Sequence, residues 1–467
     1  MKKQFKICLT AAMAILMLWS CDKSETAIDP LDSVPSDAVA VAKADVLNLL
    51  SKAGCQAEAG RYSLTPALQS LLGASDMSTL TLVSLLADLA PEIDLESVYW
   101  YMPSAKSQPI VTALATDGTA LLDRLDQTST ASVKISDYSI YTYPGACAVV
   151  RDGQIWIARS ADQIIDTNDI AARKSFSSDS VKKDALDAEG DIVAVVSWVP
   201  ASVPGIDVPV SSFITASMRC LRSGFHLHAG LKAPDGTPVY IGSDIGVINP
   251  SFVSLIPRQT AVCIALGALD WQEMYPSVAD ALGGICGDNW RMILSMLRPY
   301  IESIDGTVAI AVAPAAGAQS LGDFDLSSWE VCLTASMPQE KLDQLTTLVS
   351  TLASMSDFPC KSNRDGTYTL ALGDDKALTV GSVKGNFVIA NYDVAIAGAP
   401  VFAPVFDSKV LAIEANIPYG GDLSRIIGLP WGLSVDAGVG GGEADATVKL
   451  NGINTTPLKA LVETLAK

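Results

Sequence analysis

Histidine is almost missing from this chain: 467 residues contain two, His226 and His228. Catalytic triads, imidazole general bases and most zinc sites draw on histidine, so these chemistries have little material here. Charged residues are also sparse, at 18%, against 49% hydrophobic ones. That balance excludes a disordered chain and calls for a well-buried core. Bases are outnumbered, with 32 Lys and Arg facing 51 Asp and Glu, a net charge of −19. Phosphate backbones are gripped by Lys and Arg, so nucleic acid is not an expected partner. There is no C-x-x-C pair, no D-x-D-x-D-G calcium loop, and no S-D-N or K-T-G word. No apolar run reaches the roughly 20 residues that a spanning helix needs.

What the N-terminus does contain is an export signature. Lys2, Lys3 and Lys6 precede an apolar run of 13 residues, Ile7 to Trp19. Its length suits the h-region of a secretory signal. The run ends in Leu18-Trp19-Ser20-Cys21, which resembles a lipobox. That resemblance implies cleavage before Cys21, lipidation of its thiol and attachment to a bacterial cell envelope, with palmitate among the acyl groups. Residues 1–20 are therefore expected to be a signal peptide and residues 21–33 a polar, acidic tether. Cleavage removes three bases and no acids, leaving 447 residues with 29 bases and 51 acids, a net charge of −22. Seven cysteines follow Cys21. Cys147, Cys263 and Cys332 lie in apolar, strand-like runs and read as buried small hydrophobes. An oxidising compartment allows disulfides among the others, without a pairing that sequence can assign.

The mature chain repeats itself. Val34-Pro35 and Ile256-Pro257 each open an apolar strand, and each strand is followed by a helical region. Val98–Met102 then answers Val308–Val312, and Val111–Leu114 answers Val331–Thr334. Arg151-Asp152-Gly153 and Val383-Lys384-Gly385 both read as tight hairpin turns. Ile192–Pro200 parallels Val410–Pro418, and Phe225–Gly236 parallels Leu433–Gly442. Pro250-Ser251-Phe252 and Pro457-Leu458-Lys459 are expected to close the two halves. The fold class that follows is α+β: two tandem, structurally related domains, 34–250 and 251–467, each a mainly antiparallel sheet covered by helices. The helices should cover one sheet face, leaving the other to solvent or to the partner domain. Leu342, Leu345 and Leu348 mark one such apolar helix face, with Val349 and Leu352 beside it.

The opening phrase, Val34-Pro35-Ser36-Asp37-Ala38-Val39-Ala40-Val41 through Leu47, resembles the start of the mature domain in Bacteroidetes lipoproteins of unknown function. The resemblance implies an envelope location and brings no activity, cofactor or catalytic residue with it.

The remaining motifs carry little chemistry. His226 and His228 place both rings on one strand face, but two ligands fall short of a metal site. Ser180-Val181-Lys182-Lys183 matches S-x-x-K and reads as a helix start. Gly438–Gly442 precedes a strand rather than a helix, so it reads as a hairpin end and not a phosphate cradle. Asp323/Asp325 and Asp374/Asp375 read as solvated charge. Asp32-Ser33-Val34 and Asp179-Ser180-Val181 resemble O-glycosylation acceptors and are read as loops. The one binding hypothesis concerns tyrosines. Tyr99 and Tyr101 in one strand, with Tyr141 and Tyr143 in another, are expected to form an aromatic platform for a glycan or peptide.

No catalytic, metal or cofactor site is therefore expected. The reading is a lipid-anchored envelope protein, at the outer membrane with the leaflet left open, acting as a non-enzymatic binding or scaffolding module. Its partners are the membrane, through the lipid on Cys21, and a glycan, peptide or protein ligand, with the groove between the domains as one place to hold it. The alternative is an envelope hydrolase acting on glycan or peptidoglycan.

Overall fold

The computed structural model describes residues 29–466 apart from 76, 198–207, 241–245, 287, 316–327, 356–358, 364–365, 374–375, 395–405, 407 and 427. The expected signal peptide, Cys21, the start of the tether and the pairs Asp323/Asp325 and Asp374/Asp375 lie outside the described residues. The chain divides into two compact units. The first holds residues up to 201, then 208–239 and 453–467; the second holds 202–207 and 240–452.

The first unit begins with a 3-10 turn, Pro30–Ser33. It continues through β1 (Ala40–Ala44), α1 (Val46–Ala53), the small hairpin β2 (Gln56–Glu58) and β3 (Arg61–Ser63), then α2 (Pro66–Ser75) and α3 (Met77–Asp88). Next come β4 (Ile93–Met102), β5 (Ile110–Ala115), α4 (Gly118–Thr128), β6 (Ala131–Ile135), β7 (Tyr138–Tyr143), β8 (Ala146–Arg151) and β9 (Gln154–Ala158). Helices α5 (Ala161–Ala171) and α6 (Ser180–Leu186) lead to β10 (Ile192–Val196), β11 (Phe213–Cys220) and β12 (Gly224–Lys232). Ten strands form one antiparallel sheet in the order β12-β11-β10-β1-β4-β5-β9-β8-β7-β6.

The second unit opens on a 3-10 turn at Pro250–Ser254, then β13 (Val262–Leu266), α7 (Trp271–Cys286), α8 (Asp288–Ile301), β14 (Val308–Pro314), β15 (Trp329–Ser336) and α9 (Gln339–Met355). It continues with β16 (Cys360–Ser362), β17 (Tyr368–Gly373), β18 (Lys376–Val383), β19 (Asn386–Ala390), β20 (Leu411–Ile417), α10 (Asp422–Ile426), β21 (Gly432–Gly440) and β22 (Glu443–Asn451). Its sheet runs β22-β21-β20-β13-β14-β15-β19-β18-β17-β16, again antiparallel. Counted from β12 and from β22, the two orders visit corresponding strands at every position.

Local chemistry explains the elements that sequence marks clearly. In α1 the Asp45 carboxylate accepts a hydrogen bond from Asn48 N, and Gly54 ends the helix at φ +80°. Val46, Leu49, Leu50 and Ala53 share its buried stripe. The turns Asp152-Gly153 and Lys384-Gly385 both have positive φ at both positions, 50° and 76° in one and 50° and 79° in the other. Such turns match the right-handed twist of paired strands, which is why β8–β9 and β18–β19 close so tightly.

Three expectations are corrected. By position in the sheet orders β12 corresponds to β22 and β11 to β21, so Phe225–Gly236 does not answer Leu433–Gly442. Alternation alone cannot separate neighbouring strands. Pro250–Ser254 does not close the first half; it precedes Ile256-Pro257 as Pro30–Ser33 precedes Val34-Pro35. The helix α11 (Pro457–Leu465), expected with the second domain, packs against α1 and α2 of the first unit. Leu458 and Val462 are buried there, the Lys459 stem lies against Gly54, and Thr456 Oγ1 donates to Lys52 O.

In the first unit helices cover both sheet faces, not one. The 3-10 turns Pro30–Ser33 and Phe176–Ser178, with α5 and α6, enclose a core that includes Val41, Tyr101, Val149, Trp156 and Phe213. On the opposite face α4 is tied down by a 2.9 Å hydrogen bond between Thr128 Oγ1 and Tyr143 Oη. In the second unit Phe252 and Phe406 meet at 5.3 Å over Cys263 and Ala311. Leu342 and Leu345 of α9 are buried with Phe387 and Val380, while Leu352 is exposed. Cys147, Cys263 and Cys332 are buried thiols, as expected, and burial pushes Cys263 up to about 12.

Residues 29–33, expected in the tether, belong to the fold instead: Asp29 caps the 3-10 turn, and Leu31 and Ser33 are buried. Ser33 Oγ donates to Pro30 O (2.8 Å) and accepts from Gln154 Nε2 (2.8 Å) and Trp156 Nε1 (3.0 Å). Gln154 Nε2 also reaches Thr112 Oγ1 at 2.7 Å. Ser33→Ala strips an acceptor from two buried donors. The expected outcome is a loss of about 2 kcal/mol in urea unfolding of the first unit.

Candidate functional site

The tyrosine platform does not form. Directly opposed residues of antiparallel strands share a face, and neighbours along a strand alternate. Tyr99 stands opposite Thr112, Thr112 opposite Trp156, Trp156 opposite Val149 and Val149 opposite Ile140. Tyr141, the neighbour of Ile140, therefore points to the other side, and Tyr143 with it. Tyr99 and Tyr101 belong to the core under α5 and α6, where Tyr101 is 0% exposed and its Oη has no partner among the described residues. Burial raises the hydroxyl pKa of both. Tyr141 is buried and Tyr143 half-buried beside α4. These rings fill the unit rather than present it.

The histidine strand leads to a better site. His226 and His228 of β12 lie on one face, opposite Arg219 and Ser217 of β11. On the same face Thr215 opposes Gly230 and Phe213 opposes Lys232. Helix α6 crosses above. Asp179 caps it by accepting from Lys182 N at 3.2 Å, Leu186 is buried, and Val181 and Ala185 pack onto the core. The S-x-x-K word is thus a helix start, and its Lys183 pairs with Asp29 at 2.5 Å. Beyond β12 the chain turns through Asp235-Gly236. Asp235 Oδ1 accepts from Thr237 N (3.0 Å) and Thr237 Oγ1 (2.6 Å), and these bonds hold its carboxyl below the ordinary range. A methyl group added at Gly236 would meet Val181 Cγ1 at 2.9 Å, so the turn closes directly on α6.

Between α6, the sheet and this turn lies a cleft of about 490 Å³. Its apolar wall is Val181, Ala185 and Val193, with Phe213 beneath. Its polar lining is Thr215, Ser217, His228, Lys232, Asp184 and Asp235. Gly230 leaves room for both neighbours: a methyl there would stand 3.4 Å from Thr215 Oγ1 and 3.6 Å from Lys232 Nζ. The Lys232 ammonium is thus folded back over the floor. The cleft thus combines an apolar wall, polar side chains of its floor and an acidic rim. Sequence reasoning found the shared face of the histidines but missed Lys232, Asp184 and Asp235. The usable signal was the Asp235-Gly236 turn directly after the H-x-H strand. Among the described residues no group of three His, Cys, Asp or Glu side chains is arranged to hold a metal. Among the same residues no helix is long and apolar enough to cross a membrane.

No known family model matches the chain, and no curated protein matches it. Among solved structures, three crystal forms of TP0453 bear a distant structural similarity. Form IV gives a TM-score of 0.29 at 9% identity, over 44% of this chain and 81% of that one. Form I gives 0.28 at 10% identity, over 45% and 80%. Form III gives 0.29 at 11% identity, over 44% and 81%.

Proposed function

We propose that this chain is a lipid-anchored protein of a bacterial cell envelope that works by binding, with the α6 cleft of the first unit as its ligand site. The cleft carries the reading: it offers an apolar wall and opposed charges at the size of a small-ligand pocket. The export signature at residues 1–21 and the resemblance of the Val34–Leu47 phrase to Bacteroidetes lipoproteins support the location. We infer further that the two units descend from one duplicated chain path, a reading supported by their equivalent strand orders.

The anchor is tested by metabolic labelling with radioactive palmitate in cells that export the protein. Cys21→Ser is expected to abolish the label and release the protein from the membrane fraction; a labelled variant overturns it. The binding role is tested by NMR on the full chain in detergent micelles, titrated with short peptides and oligosaccharides. Resonance shifts are expected at Thr215, Ser217, Gly230 and Lys232. Shifts elsewhere, or none, count against the cleft.

A further inference from the structure

We propose that strand β6 is a self-pairing edge: two copies of this chain join antiparallel along it, with Val133 of each copy on the two-fold axis. Among the described residues β6 pairs with β7 and with no other strand, so it ends the sheet of the first unit. All five of its residues, Ala131–Ile135, are exposed. The turn Ser136-Asp137 is closed by Ile135 opposite Tyr138. A pair closing so short a turn exchanges both backbone hydrogen bonds, and such pairs alternate along the ladder. Ile135, Val133 and Ala131 therefore spend their N–H and C=O groups on β7, while Ser132 and Lys134 turn theirs outward. An outward row of this kind is a template for another strand.

The side chains say which strand fits. Ala131, Val133 and Ile135 share one face, where Val133 and Ile135 stand beside Ile140 and Tyr138 at the rim of the core and are 53% and 52% exposed. Ser132 and Lys134 occupy the other face. With the axis at Val133, an antiparallel copy sets Val133 against Val133, Ala131 against Ile135 and Ser132 against Lys134. Each aliphatic side chain then meets an aliphatic one, and the outward backbone groups of Ser132 meet those of Lys134. The two lysines stand on either side of the axis; an axis at Lys134 would oppose them directly, which is destabilising. Charge favours the same arrangement. Lys134 of one copy arrives beyond Ser132 and Tyr141 of the other, on the side that carries α4. Burial first, and Asp126 of α4 next, raise the Tyr141 hydroxyl pKa, so this exposed acid stands near where the lysine arrives. The corresponding edge of the second unit, β16, is three residues long with Lys361 and Ser362 exposed, which gives no such aliphatic row.

An edge of five residues buries less than the roughly 1,000 Å² of a lasting interface, so the pairing is expected to be weak and in exchange. The experiment therefore traps it. The full chain in detergent micelles, carrying Val133→Cys or Ile135→Cys, is oxidised mildly and run on a non-reducing gel beside the unsubstituted protein. Residues opposed in a non-hydrogen-bonded pair stand about 4.5 Å apart at Cα, within reach of a disulfide. The two copies of Ile135 are offset along the strands by roughly 13 Å, beyond that reach. Val133→Cys is expected to give a cross-linked dimer, and Ile135→Cys no more dimer than the unsubstituted protein. A mixture of Ala131→Cys and Ile135→Cys chains should cross-link to each other. In sedimentation velocity Val133→Lys should weaken self-association at least about tenfold, because it sets two cations face to face. Its circular dichroism should match the unsubstituted protein, since the side chain is exposed. Equal cross-linking of Val133→Cys and Ile135→Cys, or none from Val133→Cys, overturns the proposal. So does sedimentation that Val133→Lys leaves unchanged.

Discussion

Asp191→Ala is expected to destabilise the first unit by about 3 kcal/mol, the scale of breaking a buried ion pair from one side. Asp191 stands just ahead of β10, and its side chain is 6% exposed. Lys52 of α1 reaches its two carboxylate oxygens at 3.1 and 3.0 Å, and Asn48 Nδ2 donates to Oδ1 at 2.7 Å. Cys220 N, at the end of β11, donates to Oδ2. One carboxylate thus joins a helix and the ends of two strands. Alanine leaves the Lys52 ammonium, the Asn48 amide and a buried backbone N–H short of their acceptor. Lys52 keeps one bond, to Cys220 O at 3.0 Å. Urea unfolding followed by circular dichroism measures the loss. Asp191→Asn, which keeps an acceptor oxygen, should lose less. A loss under about 1 kcal/mol in the alanine variant would mean that water replaces the carboxylate.

The second large effect is a pH dependence in the second unit. Glu414 of β20 is 4% exposed. It stands opposite Cys263 of β13 and Asp436 of β21. Lys409 lies across Gly438, where a side chain would collide with its stem, and bridges Glu414 (3.0 Å) and Asp436 (2.5 Å). Burial raises Glu414 to about 7, with Lys409 opposing the rise and Asp436 adding to it. An ordinary glutamate loses its proton near 4.5. Below that value both folded and unfolded chains hold the proton, and Glu414 costs nothing. Between 4.5 and 7 the unfolded chain gives up the proton while the folded one keeps it, so stability falls as pH rises. Above about 7 the full cost applies, about 3 kcal/mol for a difference of that size. Glu414→Gln cannot titrate. The stability difference between the unsubstituted protein and this variant should therefore grow across that window and level off above it. A constant difference from pH 4.5 to 7.5 would show that Glu414 titrates as an ordinary carboxylate.

The sequence makes visible those parts of the fold whose determinants are local. Asp45 and Gly54 bracket α1, and Asp152-Gly153 and Lys384-Gly385 turn hairpins, because a cap or a positive φ needs particular residues at fixed positions. Long-range register has no such marker. Whether Tyr99 and Tyr141 share a face depends on counting through four ladders, which no single-chain pattern encodes. The candidate site shows the same divide. The H-x-H pair was visible as a face, but the partners of that face come from α6 and from the turn after β12. Glu414 escaped for a related reason. Its strand reads Leu-Ala-Ile-Glu-Ala-Asn-Ile, and alternation alone gives no sign that the acid faces inward, where the corresponding strand of the first unit has Val195.

Helix α11 sets the order of events for a chain synthesised from its N-terminus. Unit one is made first, yet α1 and α2 wait for a segment more than 350 positions downstream before their outer surfaces are covered. During synthesis that half must persist with Leu458, Ala460 and Val462 not yet docked, while the whole second half is still being made. The earliest-made portion is thus the last to be sealed, and a nascent chain stalled near residue 450 would present a sticky, unfinished surface to whatever chaperones receive it.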